Sequence, residues 1–215
     1  MLITFEGIEG SGKSSQIRRV EKYLDRKNLR SLVTREPGGT ELGLALRQVL
    51  LREGGPDREP VTELLLYLAD RYQHVKEVIQ PALDRDVVVL CDRFHDATRV
   101  YQGIARQLPR ELIDALAGAL QIPEPDLTIL LDVDPEVGLA RARSRDQEPG
   151  PNRNEGRFEA EDLSFHGAVR KGYLALAESA PQRVRIIDAS GNKDEVFSRI
   201  QVLLETWFSA RSQQR

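Results

Sequence analysis

Gly7-Ile8-Glu9-Gly10-Ser11-Gly12-Lys13-Ser14 is the stretch of this 215-residue chain that decides its fold. It matches G-x-x-x-x-G-K-[ST], in which glycines let backbone N–H groups face a phosphate, the lysine reaches the outer phosphates and the hydroxyl can hold Mg²⁺. The β-prone run Leu2–Glu6 precedes the motif and a helical pattern follows it, as a phosphate-binding loop requires. The alternative interpretation is an ordinary glycine turn that caps a helix. We predict that residues 7–15, ending at Ser15, bind the phosphates of a nucleoside triphosphate, ATP, with Ser14 on Mg²⁺.

Short β-prone runs alternate with longer helical segments on both sides of this motif. Strands are predicted at residues 2–6, 31–34, 87–91, 127–133 and 184–187. Helices are predicted at residues 16–27, 41–52, 61–83, 111–120, from near 135 and at 194–208. Such alternation predicts a three-layer α/β/α fold with a central, parallel, five-stranded sheet. No repeat or linker interrupts it, so we predict a single domain over residues 1–215.

Asp92-Arg93 directly follows the buried run 87–91. Ligands of open α/β sheets bind beyond the carboxyl ends of the strands. Asp92 is therefore expected to reach Mg²⁺ beside the phosphate loop, and Arg93 to clamp an acceptor phosphate. The alternative is a surface ion pair between the two side chains.

Arginines are concentrated around an irregular segment, residues 146–156, which contains two prolines, two glycines and two asparagines. They are Arg141, Arg143, Arg145, Arg153 and Arg157. A solvated basic helix face is the ordinary interpretation. Guanidinium groups also neutralise a transferring phosphoryl group, and a closing segment excludes water. We predict a mobile lid at about residues 141–160 that supplies catalytic arginines.

The composition is that of a soluble globular chain, with 40% apolar residues, 30% charged residues and a formal net charge of −3. No broad basic excess indicates nucleic-acid binding, and no apolar run is long enough for a membrane span. Cys91 is the single cysteine, which excludes an internal disulfide and fits a reducing compartment. We expect a cytoplasmic protein that binds neither nucleic acid nor membrane.

Further specific motifs are spread along the chain. They are Thr34-Arg35-Glu36-Pro37-Gly38-Gly39-Thr40, Asp92-Arg93-Phe94, Tyr101-Gln102-Gly103, Pro125-Asp126-Leu127-Thr128 and Leu131-Asp132-Val133. Together with the phosphate loop they resemble the thymidylate kinases, nearly from end to end. The resemblance implies a P-loop nucleotide-kinase fold and transfer of a phosphoryl group from ATP to dTMP with Mg²⁺, in dTTP biosynthesis. It also implies a homodimer.

The resemblance further implies roles for single residues in the acceptor site. Glu9 would accept a hydrogen bond from the sugar 3′-hydroxyl, and Tyr101 would crowd the 2′ position. Tyr67 would stack on thymine, and Arg71 would donate to a thymine carbonyl. Half-buried core positions are the alternative for both tyrosines.

The remaining implied roles concern the base edge, the acceptor phosphate and the lid. Thr98 and Gln102 would lie near the base edge. Arg35 and Arg93 would hold the acceptor phosphate, with Glu36 and Pro37 completing that loop. Arg157 is similar to the lid arginine of the bacterial type, and Arg145 and Arg153 are the other candidates for the catalytic finger.

Three other interpretations stay open at this point. Another nucleotide kinase would share the scaffold and take a different acceptor. A GTP-binding switch would need Asn192-Lys193-Asp194-Glu195 to read guanine, but this stretch ends in Glu and does not directly follow the last strand. A nucleotide-binding protein without catalysis is the third.

The histidines, His74, His95 and His166, lack metal-ligand spacing and are expected to be ordinary surface or packing residues.

Overall fold

A computed structural model describes residues 1–146 and 156–212 of the chain. Its centre is a sheet of five parallel strands, in the order β2-β3-β1-β4-β5. The strands are β1 (Leu2–Glu6), β2 (Ser31–Arg35), β3 (Val88–Asp92), β4 (Leu127–Asp132) and β5 (Val184–Asp188). All five predicted strands are confirmed, with ends that differ by one residue or less.

The three inner strands are buried along nearly their whole length because both of their faces are covered. Ile3 and Phe5 belong to one buried cluster, whereas Leu2, Val89 and Cys91 belong to another. Successive side chains of a strand point to opposite faces, so the two clusters are the cores on the two sides of the sheet. The predicted three-layer α/β/α fold is therefore confirmed.

Helices connect and cover the strands. They are α1 (Lys13–Arg26), α2 (Glu41–Leu51), α3 (Pro60–His74), α4 (Gln80–Leu83), α5 (His95–Thr98), α6 (Arg110–Ala119), α7 (Pro135–Asp146), α8 (Leu163–Ser179) and α9 (Lys193–Ser212). Local signals set several starts. Thr40 accepts from the N–H of Gly43 at the start of α2, and Asp162 accepts from the N–H of Phe165 at the start of α8. Pro60 is the first residue of α3, a position at which the missing N–H of proline loses no helical hydrogen bond.

Two stretches of π-helix were not predicted. The π-helical stretch Val75–Ile79 joins α3 to α4. The predicted helix at residues 61–83 is therefore continuous, but it changes from an α-helix to a π-helix and back along its length. Arg99–Ala105 continues α5 and carries Tyr101 and Gln102. π-Helical turns occur frequently at functional sites. In the Arg99–Ala105 stretch, the side chains of Tyr101 and Gln102 are buried inside the protein.

The order of the strands determines where the site lies. β1 lies between β3 and β4, with Phe5 opposite both Asp92 and Ile129. The chain leaves β1 and β3 at the same edge of the sheet, where strand order reverses, and that crevice is the usual ligand site of such folds. Among the described residues, no helix is long and apolar enough to span a membrane.

Candidate active site

The phosphate-binding motif forms a tight backbone loop between β1 and α1. Gly7, Gly10 and Gly12 have φ angles of 136°, 68° and 95°, which glycine adopts at little cost. Within the described residues, no side chain caps the start of α1, so its first N–H groups are left for an anion. The loop therefore fits a polyphosphate, and its contact with a nucleotide stays a prediction.

The ammonium group of Lys13 is held against this loop. Its Nζ donates to Gly7 O at 3.1 Å, to Ile8 O at 2.9 Å and to Ser11 Oγ at 3.3 Å. Burial, followed by the charge of Arg93, lowers the pKa of Lys13 to about 8. The side chain therefore remains largely protonated at neutral pH, as a group that neutralises phosphate oxygens must.

Two oxygen donors meet at the end of the loop. Ser14 Oγ donates to Asp92 Oδ2 at 2.9 Å, on the exposed side of the loop. A hydroxyl and a carboxylate oxygen are ligands that suit Mg²⁺. The arrangement fits the predicted metal site, with room for waters and phosphate oxygens on the open side.

Arg93 links the loop to the acceptor side of the crevice. Its φ of 66° is uncommon for a residue other than glycine, and it turns the guanidinium back towards β1. One nitrogen donates to Gly7 O at 3.0 Å and another to Glu9 Oε1 at 2.7 Å, while the guanidinium carbon lies 5.0 Å from the ring centre of Tyr101. The Tyr101 hydroxyl donates to the same Glu9 oxygen at 2.7 Å.

The carboxylates of Glu6 and Glu9, which lie on either side of Gly7 in the sequence, have pKa values shifted in opposite directions. Burial by itself would raise the pKa of Glu9, but the charge of Arg93 and the nearby His166 outweigh it and hold the pKa at about 2. Glu9 is thus ionised at neutral pH. For Glu6, burial prevails over Arg93 and raises the pKa to about 7. Glu6 accepts from the hydroxyl of Tyr173 at 2.6 Å and from the N–H of Phe94 at 2.8 Å.

Arg71 lies at the base of the neighbouring pocket and is 1% exposed. It donates to Glu36 Oε2 at 2.6 Å, to Thr98 Oγ1 at 2.8 Å and to Phe94 O at 3.0 Å. The structure thus brings together Arg71 and Thr98, which the resemblance assigned to the base, and Glu36, which it assigned to the loop that holds the acceptor phosphate. Because Glu36 pairs with Arg71, its predicted substrate contact would be made through that arginine.

Glu36, His74 and Cys91 could also be considered as metal ligands, since one atom of each lies within 4.8 Å of the others. The carboxylate of Glu36 is already used by Arg71 and by His74 Nδ1, at 2.8 Å. Burial raises the pKa of the Cys91 thiol well above its ordinary value, so the thiolate that a metal needs is disfavoured. Glu36, held in turn by His74, is a hydrogen-bonded support for Arg71, whereas the Cys91 thiol donates to Arg93 O at 3.0 Å.

The loop that follows β2 forms another wall. Arg35 ends β2 opposite Asp92, and the Glu36-Pro37 peptide bond is cis. Arg47 on α2 donates to Pro37 O at 2.7 Å. Arg47 was not predicted as a site residue, because nothing in its local sequence distinguishes it from a surface arginine. Tyr67 on α3 is buried, which leaves both its predicted stacking role and a packing role open.

Residues at the described end of the lid contact the acceptor side rather than the phosphate loop. Arg157 donates to Leu50 O at 3.1 Å and pairs with Glu63. The other oxygen of Glu63 accepts from Gln102 at 2.8 Å. Phe158 packs edge-on against Tyr101, with ring centres 5.0 Å apart. For Arg157 to reach a transferring phosphoryl group, its pairing with Glu63 would have to break.

The other four arginines of the predicted lid segment are Arg141, Arg143, Arg145 and Arg153. Arg141 donates to Ala189 O at 3.0 Å and to Ser190 O at 3.3 Å, next to the turn that follows β5. Arg143 lies exposed on α7. The side chain of Arg145 and the whole of Arg153 lie outside the described residues, so their predicted catalytic roles stay predictions.

Two of the three histidines, which are expected to be ordinary surface or packing residues, are packed inside the protein against carboxylates of the site. His74 Nδ1 is hydrogen-bonded to Glu36, and His166 Nδ1 lies 3.2 Å from Glu9 Oε2. Both are fully buried. His166 is on α8, more than 150 positions from Glu9 in the sequence, and no local signal connects the two.

Comparisons with known proteins identify the family of the chain. A family model described as "Thymidylate kinase" matches residues 5–200. The chain belongs to the thymidylate kinase family. It is 50% identical to a thymidylate kinase of Nitratidesulfovibrio vulgaris (strain DSM 19637 / Miyazaki F), over 98% of each chain. It is also 50% identical to a thymidylate kinase of Oleidesulfovibrio alaskensis, over 93% of this chain and 95% of the relative.

A solved member of the thymidylate kinase family has the same fold. The crystal structure of thymidylate kinase from Ehrlichia chaffeensis matches with a TM-score of 0.76 and 31% sequence identity, over 95% of this chain and 98% of the other. The predicted fold and family are therefore confirmed. The assignment of single residues to the thymidylate kinase reaction rests on the contacts described above and stays a prediction.

Proposed function

We propose that this protein transfers the γ-phosphoryl group of ATP to dTMP and so supplies dTDP for dTTP biosynthesis. The observation that carries the proposal is the position of Arg93, which contacts both the phosphate loop, at Gly7 O, and the acceptor-side carboxylate of Glu9. A guanidinium at that junction can hold an acceptor phosphate next to the triphosphate. Membership of the thymidylate kinase family supports dTMP as the acceptor.

The reaction requires positioning and charge neutralisation more than acid–base chemistry. A phosphate oxygen of dTMP, already anionic near neutral pH, attacks the γ-phosphorus. The bond from that phosphorus to the β–γ bridging oxygen breaks, and ADP leaves with the electron pair. Since no proton must be removed from the nucleophile, a strong general base is unnecessary.

The residues around the loop divide this work. The backbone of residues 7–15 and the ammonium of Lys13 would bind the donor phosphates. Ser14 and Asp92 would hold Mg²⁺, which neutralises charge on the phosphates. Arg93, with Arg35 at the end of β2, would fix the acceptor oxygen in line with the leaving group.

Selection of the nucleoside would depend on the pocket beside Arg93. Arg71 is held rigidly by Glu36 and Thr98, so it can present the same nitrogen to a base carbonyl in every turnover. The hydroxyl of Tyr101 is fixed on Glu9, which supports the steric exclusion of a 2′-hydroxyl. A rigid site of this kind discriminates because a wrong ligand leaves buried polar groups unpaired.

A panel of nucleoside monophosphates tests the proposal. Coupled ADP-release assays would compare dTMP, dUMP, CMP and AMP, with ATP and Mg²⁺ constant. We expect kcat/KM for dTMP to exceed the others, and Lys13→Ala to abolish turnover while the far-UV spectrum and melting temperature stay close to wild type. Preference for CMP or AMP would indicate another nucleotide kinase, and near-normal turnover by Lys13→Ala would refute the phosphate-loop assignment.

We also propose that the protein acts as a homodimer in the cytoplasm. Val61, Leu65 and Tyr72 lie on α3 at spacings of four and seven residues, which share one helix face, and they are 44%, 50% and 41% exposed. A second copy that packs on this face would remove these apolar side chains from water. Sedimentation of wild type and Leu65→Glu tests the dimer, since the charged variant should shift towards monomer.

The proposed cytoplasmic location is supported by the single cysteine, because a buried, unpaired Cys91 fits a reducing compartment.

A further inference from the structure

We infer that His166 is a positioning residue for Glu9 and thereby for recognition of the sugar 3′-hydroxyl of the acceptor nucleotide. The inference rests on the proposed function, because it assigns Glu9 to the acceptor. Neither the phosphate loop nor the acceptor motifs include this histidine. It reaches the site from α8, which also carries Tyr173, a contact of Glu6 and of Arg93.

The two oxygens of Glu9 have different surroundings. Oε1 accepts hydrogen bonds from Arg93 and Tyr101, both at 2.7 Å. Oε2 is buried and, within the part of the chain that the structure describes, has no aligned hydrogen-bond donor. A buried carboxylate oxygen without a partner costs about 1–3 kcal/mol or more, so such an atom requires an explanation.

The ring of His166 is the polar group next to that oxygen. Its Nδ1 lies 3.2 Å from Oε2, which is a hydrogen-bonding distance although the ring is not aligned for a regular hydrogen bond. Both ring nitrogens are buried and lack aligned partners among the described residues. Two unsatisfied polar groups therefore face each other, and a small rotation of the ring would let Nδ1–H donate to Oε2.

The contact has a consequence for the acceptor. Arg93 and Tyr101 fix Oε1, but a carboxylate held at one oxygen can still rotate about its axis. A second contact at Oε2 fixes the plane of the carboxylate, so that the remaining lone pairs point in a constant direction. Substrate groups that depend on Glu9 should therefore lose affinity when His166 is replaced, whereas groups bound elsewhere should not.

The experiment compares two acceptors that differ at the sugar 3′ position. Wild type, His166→Leu, His166→Asn and Leu176→Ala would be assayed with dTMP and with 3′-deoxy-dTMP. Asn retains an N–H donor near the position of Nδ1, whereas Leu has a similar size and none. Leu176, a buried core residue on the same helix, is the control for loss of packing. All variants would first be checked by thermal melting.

We expect His166→Leu to raise the KM for dTMP about tenfold, the size of a lost hydrogen bond to a charged group. The KM for 3′-deoxy-dTMP should change less than threefold, and kcat should change little with either acceptor. His166→Asn should restore most of the affinity for dTMP. Leu176→Ala should leave the ratio of the two KM values as in wild type.

Equal losses with both acceptors, or the same loss in His166→Asn as in His166→Leu, would overturn the inference. A changed ratio in Leu176→Ala would do the same, because it would assign the effect to packing. If His166→Leu does not fold, His166→Asn and His166→Gln are compared instead. Gln places its amide nearer the position of Nε2, so His166→Gln should restore less of the affinity for dTMP than His166→Asn. Wild type that does not phosphorylate dTMP would refute the proposed function itself.

Discussion

Gly138, in the first turns of α7, lies against the backbone of the phosphate loop. A Cβ added at this glycine would lie 2.6 Å from Glu9 O and 3.0 Å from Ile8 Cδ1. The contact is reciprocal, since a Cβ on Gly10 would lie 1.8 Å from Gly138 O. We therefore expect Gly138→Ala to displace the loop, although the residue is outside the phosphate-binding motif.

The size of the effect follows from the distances. Ordinary contact begins at about 3.4 Å, so the loop and α7 must separate by about 0.8 Å. Overpacking of this kind costs about 1–3 kcal/mol, and alanine in a helix returns about 1 kcal/mol relative to glycine. The free energy of unfolding should therefore fall by about 0–2 kcal/mol. A loop moved by nearly 1 Å should lower kcat/KM by about 10- to 100-fold.

Gly118→Ala on α6 is the matched control, because among the described residues no atom outside its own helix backbone and chain neighbours lies within 4 Å of its added Cβ. It should gain up to about 1 kcal/mol in stability and keep its activity. The assays are urea unfolding and steady-state ADP release with both variants. If Gly138→Ala were as active as Gly118→Ala and equally stabilised, the loop would not depend on this backbone contact and the reasoning would be refuted.

Three further predictions concern the metal, the lid and pH. Asp92→Asn should raise the Mg²⁺ concentration for half-maximal rate about tenfold; an unchanged titration would remove Asp92 from the metal site. Arg157→Ala should lower kcat about 10²-fold with little change in the KM for dTMP, and the opposite pattern would assign Arg157 to the acceptor. Burial raises the pKa of Glu6 from 4.5 to about 7, so the folded protein binds more protons than the unfolded chain between these values. Stability should fall as pH rises through this window, and Glu6→Gln should remove that fall in urea titrations at pH 5 and 8; parallel curves would contradict the shift.

The sequence predicts the sheet well because the signals are local. Each strand is a short β-prone run, and the inner three are buried along nearly their whole length. The phosphate loop is equally local, since its eight residues contain both the glycines and the functional groups. The π-helical turns at Val75–Ile79 and Arg99–Ala105 could not be predicted, because their winding depends on tertiary packing rather than on residue type.

The parts of the site that the sequence did not predict depend on how helices dock. The spacing of His166 and Tyr173 is seven residues, which places both on one face of α8, and a helical pattern could have indicated that. No pattern indicates that this face meets Glu9 and Glu6, two carboxylates from the opposite end of the chain.

α8 contributes a polar partner to each of these two carboxylates, but burial and Arg93 account for most of the difference between their pKa values. Glu9 has Arg93 against it and His166 beside it, and its pKa is about 2. Glu6 has the neutral hydroxyl of Tyr173 as its α8 partner, and burial keeps its pKa near 7. His166 thus adds to the stabilisation of the Glu9 anion, whereas the hydrogen bond from Tyr173 only partly offsets the effect of burial on Glu6. A change on α8 that removed either partner should therefore alter the pKa of the carboxylate that the partner contacts.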